Sequence, residues 1–469
     1  MKTYQDFLKV GESEQDRMTF VKGCITDHQA TKAYKTAVDA DLYDKQRNVT
    51  ISTYQKLLYT VAGETVPDNY SANYKLCSNF FNRLTTQRNQ FLLGNGVSFS
   101  KPDTKEKLGK FFDQRMIELG HEAQKGGVSF GFWNYDHLEI FGLTEFVPLY
   151  DEENGALMMG IRFWQIDDSK PLRATLYEVD GLTDYVFDKE SPTGRVLEEK
   201  RSYMAVNIGT KVDPTYIYRG ENYSGFPIIP LFNVQRQSDL VGMRPNIDCF
   251  DLIMSGFADQ IDEASLFFWT ITNCGAMDES DMVKFKNQMA RLKVGLIEDR
   301  GAQLESHTVE APYASREAIL ERLRSEIYED YMALDTKNIA SGATTATQIE
   351  ASYEPLNSKA DEYESQVTLF ILSLLDLIGI DDKPTFTRSM IVNRNEEIQI
   401  VLQSAQYLPE EYITQKILTI LGDADALEEV RLQKEREEMD LSEFDEEDED
   451  KEGDDQDDNR GKLTETEEV

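Results

Sequence analysis

The segment from about residue 128 to residue 233 alternates apolar with polar residues, and this pattern constrains the fold more than any other feature of the chain. Aromatic and β-branched residues are frequent in it, and the motifs DEENG and KESPTG supply turns between its runs. On both sides of this segment, apolar residues recur at steps of three and four, which is typical of amphipathic helices. The sequence therefore predicts an α+β protein in which an antiparallel β region lies between helical segments.

The chain is strongly acidic, with a net charge of −37 over 469 residues. Residues from Glu435 onward hold 19 acidic and 4 basic side chains, a net −15, which leaves −22 for the rest. Conventional nucleic-acid binders carry a basic face that displaces counterions from phosphates. If this chain contacts DNA, we expect the protein to bind the DNA only weakly. The tail is too charged and too poor in apolar residues to fold, so we expect residues 439–469 to be disordered.

No pattern in the sequence indicates a membrane, metal or cofactor site. The N-terminus lacks the apolar run of a signal peptide, and the longest apolar run, VTLFILSLLDLIGI, is too short to cross a bilayer. We therefore expect a soluble, cytoplasmic protein with a reduced set of thiols. The cysteines form no C-x-x-C pair and no zinc site; they are Cys24, Cys77, Cys249 and Cys274.

A possible catalytic motif is GVSFG, at residues 127–131, which fits the G-x-S-x-G pattern of serine hydrolases. A nucleophile elbow requires a strand before the serine and a helix after it. Around Ser129 the predicted order is helix, turn, strand, which is the reverse. We therefore interpret Ser129 as a turn residue and expect no enzymatic activity.

The segment RPNIDCFDLIMSGFADQIDEASLFFW predicts a helix with two stripes and no lysine or arginine from Pro245 to Val283. Its apolar stripe suits packing against other helices. Its acidic stripe is either a solvated face or a functional surface; a catalytic carboxylate pair is disfavoured because the acids lie along one helix without a partner cluster. The apolar stripe is Ile247, Phe250, Met254, Phe257, Ile261, Ala264 and Phe268, and the acidic stripe is Asp248, Asp251, Ser255, Asp259 and Asp262.

The remaining segments predict a small α/β piece followed by more helices. Residues 277–312 predict a short helix and two strands around an Asp299-Arg300-Gly301 turn. A helix capped by Ser315 follows, then a small-residue segment around Ser341-Gly342, and then a long helix from about Glu350 to Ile378.

The order of these segments resembles the portal proteins of tailed double-stranded DNA bacteriophages, of the siphophage type. The resemblance covers roughly residues 50 to 430. It depends on the motifs FLLGNGVSF, YSGFPIIPLFNVQRQSDL, RPNIDCFDLIMSGFADQIDEA and IYEDY…IASG in this order.

The resemblance implies a portal-type fold, with a wing of helices and strands, a two-helix stem, an α/β clip, a long helix and a helical crown. The implied division is an N-terminal arm at 1–50, the wing at 51–240, the first stem helix at 241–268, the clip at 269–312, the second stem helix at 313–337, the channel loop at 338–348, the long wing helix at 349–384, the crown at 385–438 and the disordered tail at 439–469.

The resemblance also implies a connector ring, usually of twelve subunits, at one capsid vertex of the virion, assembled in the host cytoplasm. Double-stranded DNA passes through its channel without sequence specificity, during packaging by the terminase large subunit and again during ejection. The other implied partners are the major capsid and scaffolding proteins and a head-completion or adaptor protein.

Three groups of residues follow as candidate sites under this resemblance. The channel loop differs from many relatives, in which an alanine-leucine-lysine run follows the Ser-Gly. The candidate DNA-channel residues are Asn338, Ser341, Gly342, Thr344, Thr345 and Thr347; the acidic stem residues are Asp248, Asp251, Asp259 and Asp262; the subunit-packing residues are Phe250, Met254, Phe257 and Ile261.

Two alternatives stay open at the level of sequence. One is a monomeric acidic scaffold or adaptor without a channel, and the other is a serine hydrolase that uses Ser129. The acidic tail is either a solvating extension or a contact for scaffold or packaged DNA.

Overall fold

The fold is known from a computed structural model, and its described residues fall into two units. One unit comprises Met1–Ala343 and Glu350–Ser389, and the other comprises Thr344–Ile349 and Met390–Val469. The described residues are 2–11, 13–59, 63–69, 71–188, 193–207, 216–218, 220, 222–264, 268–272, 278, 280–281, 283–285, 303–307, 313–337, 346–389, 394–421 and 430–432.

Helices occupy both ends of the first unit and the described part of the second. Ser13 and Thr31 cap the helices that follow them, each accepting a hydrogen bond from the backbone N–H three residues later. The helices are α1 Tyr4–Leu8, α2 Glu14–Ala30, α3 Lys32–Asp44, α4 Val49–Thr53, α5 Phe80–Leu93, α6 Pro102–Lys107, α7 Phe112–Gly126, α8 Leu240–Ala264, α9 Tyr313–Tyr331, α10 Ala346–Leu377, α11 Arg394–Gln403 and α12 Glu410–Leu421.

The strands pair antiparallel throughout the described residues. A five-stranded sheet has the order β10-β9-β8-β7-β6, and a three-stranded sheet has the order β13-β4-β5. Two-stranded pairs are β1-β2, β11-β12, β14-β15 and β16-β3. The strands are β1 Leu57–Tyr59, β2 Thr65–Pro67, β3 Val97–Phe99, β4 Val128–Asn134, β5 His137–Gly142, β6 Phe146–Tyr150, β7 Leu157–Trp164, β8 Leu172–Glu178, β9 Gly181–Phe187, β10 Arg195–Arg201, β11 Ala205–Asn207, β12 Tyr216–Tyr218, β13 Ile228–Phe232, β14 Phe268–Thr272, β15 Gln303–His307 and β16 Pro384–Phe386.

The mixed α+β class and the antiparallel β region from 128 to 233 are confirmed, because β4 begins at Val128 and β13 ends at Phe232. The alternation of residues is local information, and it decides which side of each strand faces the core.

Several predicted boundaries were wrong. The first stem helix was predicted to reach Phe268, but α8 ends at Ala264 and Phe268 begins a strand that pairs with β15. The second was predicted to reach Lys337, but α9 ends at Tyr331. The long helix starts at Ala346, within the predicted channel loop, and ends at Leu377, one residue before the predicted Ile378. The Asp299-Arg300-Gly301 turn and the tail from residue 439 lie outside the described residues.

The N-terminal segment packs onto the β region rather than standing apart from it as an arm. Phe7, Val21 and Ile25 are buried in one cluster with Leu149 and Ile161 of the five-stranded sheet. Residues 4–30 therefore cover one face of this sheet and belong to the core of the first unit.

A second core joins helices that are far apart in the sequence. Leu92 of α5, Met116 of α7 and Leu374 of α10 are fully buried together with Trp133 of β4 and Leu231 of β13. This cluster fixes α10 against the three-stranded sheet, and it sets the position of the helices that carry the candidate site.

Candidate functional site

Helices α8 and α9, the two predicted stem helices, lie side by side and run antiparallel. Asn246 donates a hydrogen bond to Asp330 at 3.0 Å, and the rings of Phe257 and Tyr313 lie 5.5 Å apart. A residue early in α8 thus meets one late in α9, and a later residue of α8 meets one early in α9. Near the start of α8 and the end of α9, Ile247 and Tyr328 are buried in a shared cluster with Phe81 of α5.

The acidic stripe of α8 is a docking surface for another part of the same chain. An extended segment, residues 74–78, runs along the helix and donates its backbone N–H groups to side chains there. Tyr74 donates to Asp259 at 2.7 Å, Leu76 to Ser255 at 3.0 Å, and Ser78 to Asp251 at 2.9 Å. We call residues 74–78 the strap.

The spacing of the strap follows from elementary geometry. Two residues of extended chain advance about 6.6 Å, and four residues of α-helix advance about 6 Å. Alternate N–H groups of the strap therefore meet side chains four residues apart on α8. Asp251 and Asp259 are only 0% and 3% exposed. The interpretation of the stripe as a solvated acidic face is thus wrong for these two aspartates.

Other side chains complete the burial of the acidic stripe. Asn48 donates a hydrogen bond to Asp251, and the Lys56 ammonium lies 2.9 Å from Asp259. Asp248 accepts hydrogen bonds from Tyr43 and from Thr50. Burial raises the pKa of the Asp251 carboxyl, and the hydrogen bonds from Asn48 and Ser78 oppose this shift. Among the four predicted stem aspartates, Asp262 alone is exposed to solvent.

The predicted subunit-packing residues divide into inward and outward positions. Phe250 contacts Phe80 of its own chain, with ring centroids 5.0 Å apart, and Phe257 contacts Tyr313. Met254 is half-buried, and Ile261 is 48% exposed. Ile261 therefore offers the most open apolar surface of this set, while Phe250 contributes to the core of its own chain.

The predicted channel residues fall almost entirely outside the part of the chain that the structure describes. Asn338, Ser341, Gly342, Thr344 and Thr345 are outside it. Thr347 lies in the first turn of α10. The described chain stops at Lys337 and resumes at Ala346, so α9 and α10 flank this segment.

A buried group of polar residues lies where α8 begins and α9 ends, and it was not predicted from the sequence. The Arg88 guanidinium lies 2.9 Å from the carboxylate of Asp239 and donates to the side-chain oxygen of Asn233 at 3.1 Å. The Tyr331 hydroxyl donates to the same carboxylate at 2.8 Å. We call this set the polar hub; its members are Arg88, Asn233, Asp239, Tyr331, Lys359 and Tyr363.

Within the polar hub, cation contacts with aromatic rings link α10 to α5 and to α9. Arg88 lies 4.6 Å from the ring centroid of Tyr363, and the ammonium of Lys359 lies 3.2 Å from that of Tyr331. Lys359 also donates to the backbone carbonyl of Tyr331 at 2.6 Å. Burial lowers the pKa of Lys359 to about 8, against the opposing effect of the Asp239 carboxylate. The polar hub thus ties α5, α9 and α10 to the loop before α8, beside a cavity of about 370 Å³.

Replacing Arg88 with methionine is expected to destabilise the protein by about 3–5 kcal/mol, because it leaves the Asp239 carboxylate without its buried cation. The free energy of unfolding in urea measures this. Arg115→Met is the control, since Arg115 makes an exposed ion pair with Glu118 and its loss should cost less than about 1 kcal/mol. Equal effects of the two substitutions would contradict a structural role for the polar hub.

Ser129 is a strand residue, not the turn residue predicted. It pairs with Gly142 and with Leu231 within the three-stranded sheet, and the left-handed Gly127 ends the preceding helix. Its side chain is fully buried, and its hydroxyl donates to the carbonyl of Leu119 at 2.7 Å. This geometry does not fit a nucleophile.

The described residues show no sign of a metal site or of a membrane span. No group of three or more histidine, cysteine, aspartate or glutamate residues there could hold a metal ion. No described helix is long and apolar enough to span a membrane. Cys24, Cys77 and Cys249 are free thiols.

Comparison with known proteins identifies the class of the chain. A profile of the family described as phage portal protein, SPP1 Gp6-like, matches residues 27–440. Since this match covers most of the 469 residues, the chain belongs to that family of phage portal proteins. The resemblance predicted from the sequence is thereby confirmed.

Individual relatives are distant. The chain is 24% identical, over an alignment of 380 residues, to a protein named Portal protein from Clostridium phage phiCD119; the match covers 73% of this chain and 81% of that one. Among solved structures it is similar to a chain of the virion of a native gene transfer agent particle, at 9% identity and a TM-score of 0.43, covering 72% of this chain and 89% of that one. A chain of the neck of the native particle, computed with C12 symmetry, gives 10% identity and a TM-score of 0.40, covering 73% and 89%. The family assignment depends on the sequence match and not on these structural likenesses.

Proposed function

We propose that this protein forms a ring of twelve subunits at one vertex of a phage capsid, and that the ring is the channel for the genome. DNA enters through it when the terminase large subunit packages the genome and leaves through it at ejection. The observation that carries the proposal is membership in the portal family over residues 27–440. That range includes the β region, α8, α9 and the segment between α9 and α10.

Within this proposal, α8 and α9 are the stem, residues 269–312 the clip and residues 338–348 the channel loop. The clip receives terminase during packaging and a head-completion or adaptor protein afterwards. The wing, residues 51–240, and the crown, residues 385–438, contact the major capsid and scaffolding proteins. In this arrangement the virion is the final location, and the host cytoplasm is the site of assembly.

The charge of the chain supports a conduit that does not hold DNA. Each phosphate that a protein neutralises adds salt-dependent affinity, and a net charge of −37 disfavours such contacts. Asp251 and Asp259 do not supply this repulsion, because they are buried against the strap and Lys56. The repulsion therefore comes from the overall charge and from exposed acids such as Asp262.

Native mass spectrometry of the purified full chain tests this function. We expect the mass of a closed ring, a multiple of the 53.7 kDa subunit near twelve. A mass of one subunit at all concentrations would favour the monomeric scaffold or adaptor. Nuclease protection of DNA inside assembled heads, with and without the protein, then tests whether the ring is needed for packaging.

A further inference from the structure

The end of α9 is fixed by a hydrogen-bonded stop. Met332 has a left-handed backbone, with φ of 59°, directly after the last helical residue. Its N–H donates to the carbonyl of Glu329 at 2.9 Å, and the N–H of Ala333 donates to that of Tyr328 at 2.9 Å. This is the Schellman arrangement, which satisfies helix-end carbonyls and directs the chain away from the helix axis.

The chain after this stop is then held by the side chain of Gln87, on α5. The Gln87 amide nitrogen donates to the carbonyl of Leu334 at 2.9 Å, and the Gln87 amide oxygen accepts from the N–H of Leu334 at 3.1 Å. One side chain thus satisfies both backbone groups of a single residue, as a neighbouring strand would. This pairing determines both the position and the rotation of the backbone at Leu334.

Two further contacts secure the same stretch. Asp335 accepts a hydrogen bond from Arg324 of α9 at 2.8 Å and another from the N–H of Lys337 at 3.1 Å. Lys359 of α10 donates to the carbonyl of Tyr331 at 2.6 Å. Residues 331–337 are therefore tied by hydrogen bonds to α5, α9 and α10.

We propose that Gln87 is a positioning residue of the portal: it fixes the path along which the chain leaves α9, and with it the point from which the proposed channel segment starts. Lys359 supports Gln87 by holding the end of α9 on α10. The inference rests on the proposed function, since it assigns residues 338–348 to the channel. What the inference adds is that Gln87, a residue of the proposed wing on α5, determines where the channel segment begins.

The test replaces Gln87 with leucine, which has a similar size and cannot pair with Leu334. In hydrogen exchange of the purified full-length protein, we expect peptides over 332–337 to exchange at least about tenfold faster. Peptides from α5 and α10 and the ring mass should stay as in the wild type, while the melting temperature should fall slightly because the buried backbone groups of Leu334 lose their partner. Gln90→Leu is the control, because Gln90 lies on the same helix and is exposed.

Packaging assays with the same variants separate positioning from simple support. We expect Gln87→Leu rings to package at least about threefold less DNA per head than wild-type and Gln90→Leu rings. Unchanged exchange at 332–337, or faster exchange with full packaging, would overturn the inference. If wild-type rings do not package DNA, the proposed function fails instead, while the exchange result still reports on Gln87. Lys359→Met, with Lys383→Met as its exposed control, provides a second variant should Gln87→Leu fail to fold.

Discussion

Replacing Ile261 with aspartate is expected to abolish rings and leave single subunits. Ile261 is 48% exposed near the end of α8, whereas the acidic stripe of this helix is occupied by the strap. A large apolar side chain left open at this end of the helix is suited to contact with a neighbouring copy in a closed ring. A buried aspartate at such a contact would have no cation to pair with, and its desolvation would oppose assembly. Native mass spectrometry and negative-stain images measure the outcome.

Val241→Asp is the matched control for this substitution. Val241 lies on the same helix and is also 48% exposed. It is twenty positions from Ile261, which is a rotation of about 200° about the helix axis, so the two side chains lie on nearly opposite faces. We expect rings from Val241→Asp. Rings of normal mass from Ile261→Asp would contradict the proposal that this face of α8 forms part of the subunit interface.

The sequence predicted the elements whose signals are local. The alternation in residues 128–233 and the steps of three and four around it each report on neighbours within a few residues. The end of α8 depends on a distant segment instead. Phe268 continues the apolar stripe of α8, but it pairs with His307 in a two-stranded sheet, and no periodicity within α8 indicates that partner.

The interpretation of the acidic stripe as a solvated face was wrong for a similar reason. Asp251, Ser255 and Asp259 recur at steps of four residues on one face of α8, which is also the pattern of a solvated face. Their partners are N–H groups of Ser78 and Tyr74, which lie more than 170 residues earlier in the chain. Backbone donors of an extended segment leave no mark in residue type, so the sequence could not distinguish a docked stripe from a solvated one.

One member of the polar hub did leave a signal. Arg88 is four residues from both Leu84 and Leu92, so it occupies the apolar face of α5. A charged residue at such a position must be paired when it is buried. Its partner, Asp239, lies in the loop before α8 and could not be identified without the packing of α5 against that loop.

Replacing Thr344 and Thr345 with lysine is expected to stall packaging at low salt. The segment from Asn338 to Thr347 contains small and hydroxylated residues and no positive charge. If it faces DNA, its contacts are hydroxyl–phosphate hydrogen bonds and van der Waals contacts, which permit sliding. Two lysines per subunit would add contacts that release counterions, and the resulting affinity rises steeply as salt falls. The measurement is the length of DNA packaged per head at low and moderate salt.

The salt dependence separates adhesion from a failure to fold. Misfolded rings would package poorly at both salt concentrations, whereas adhesion to phosphates should be partly relieved as salt screens the added charge. Ser365→Lys with Ser373→Lys adds the same charge at two exposed positions of α10 and should leave packaging unchanged at either salt. Full heads from the Thr344→Lys, Thr345→Lys protein at both salts would mean that this segment does not touch the passing DNA. Partial heads at low salt, relieved at moderate salt and absent from the serine control, are the result that the channel assignment requires.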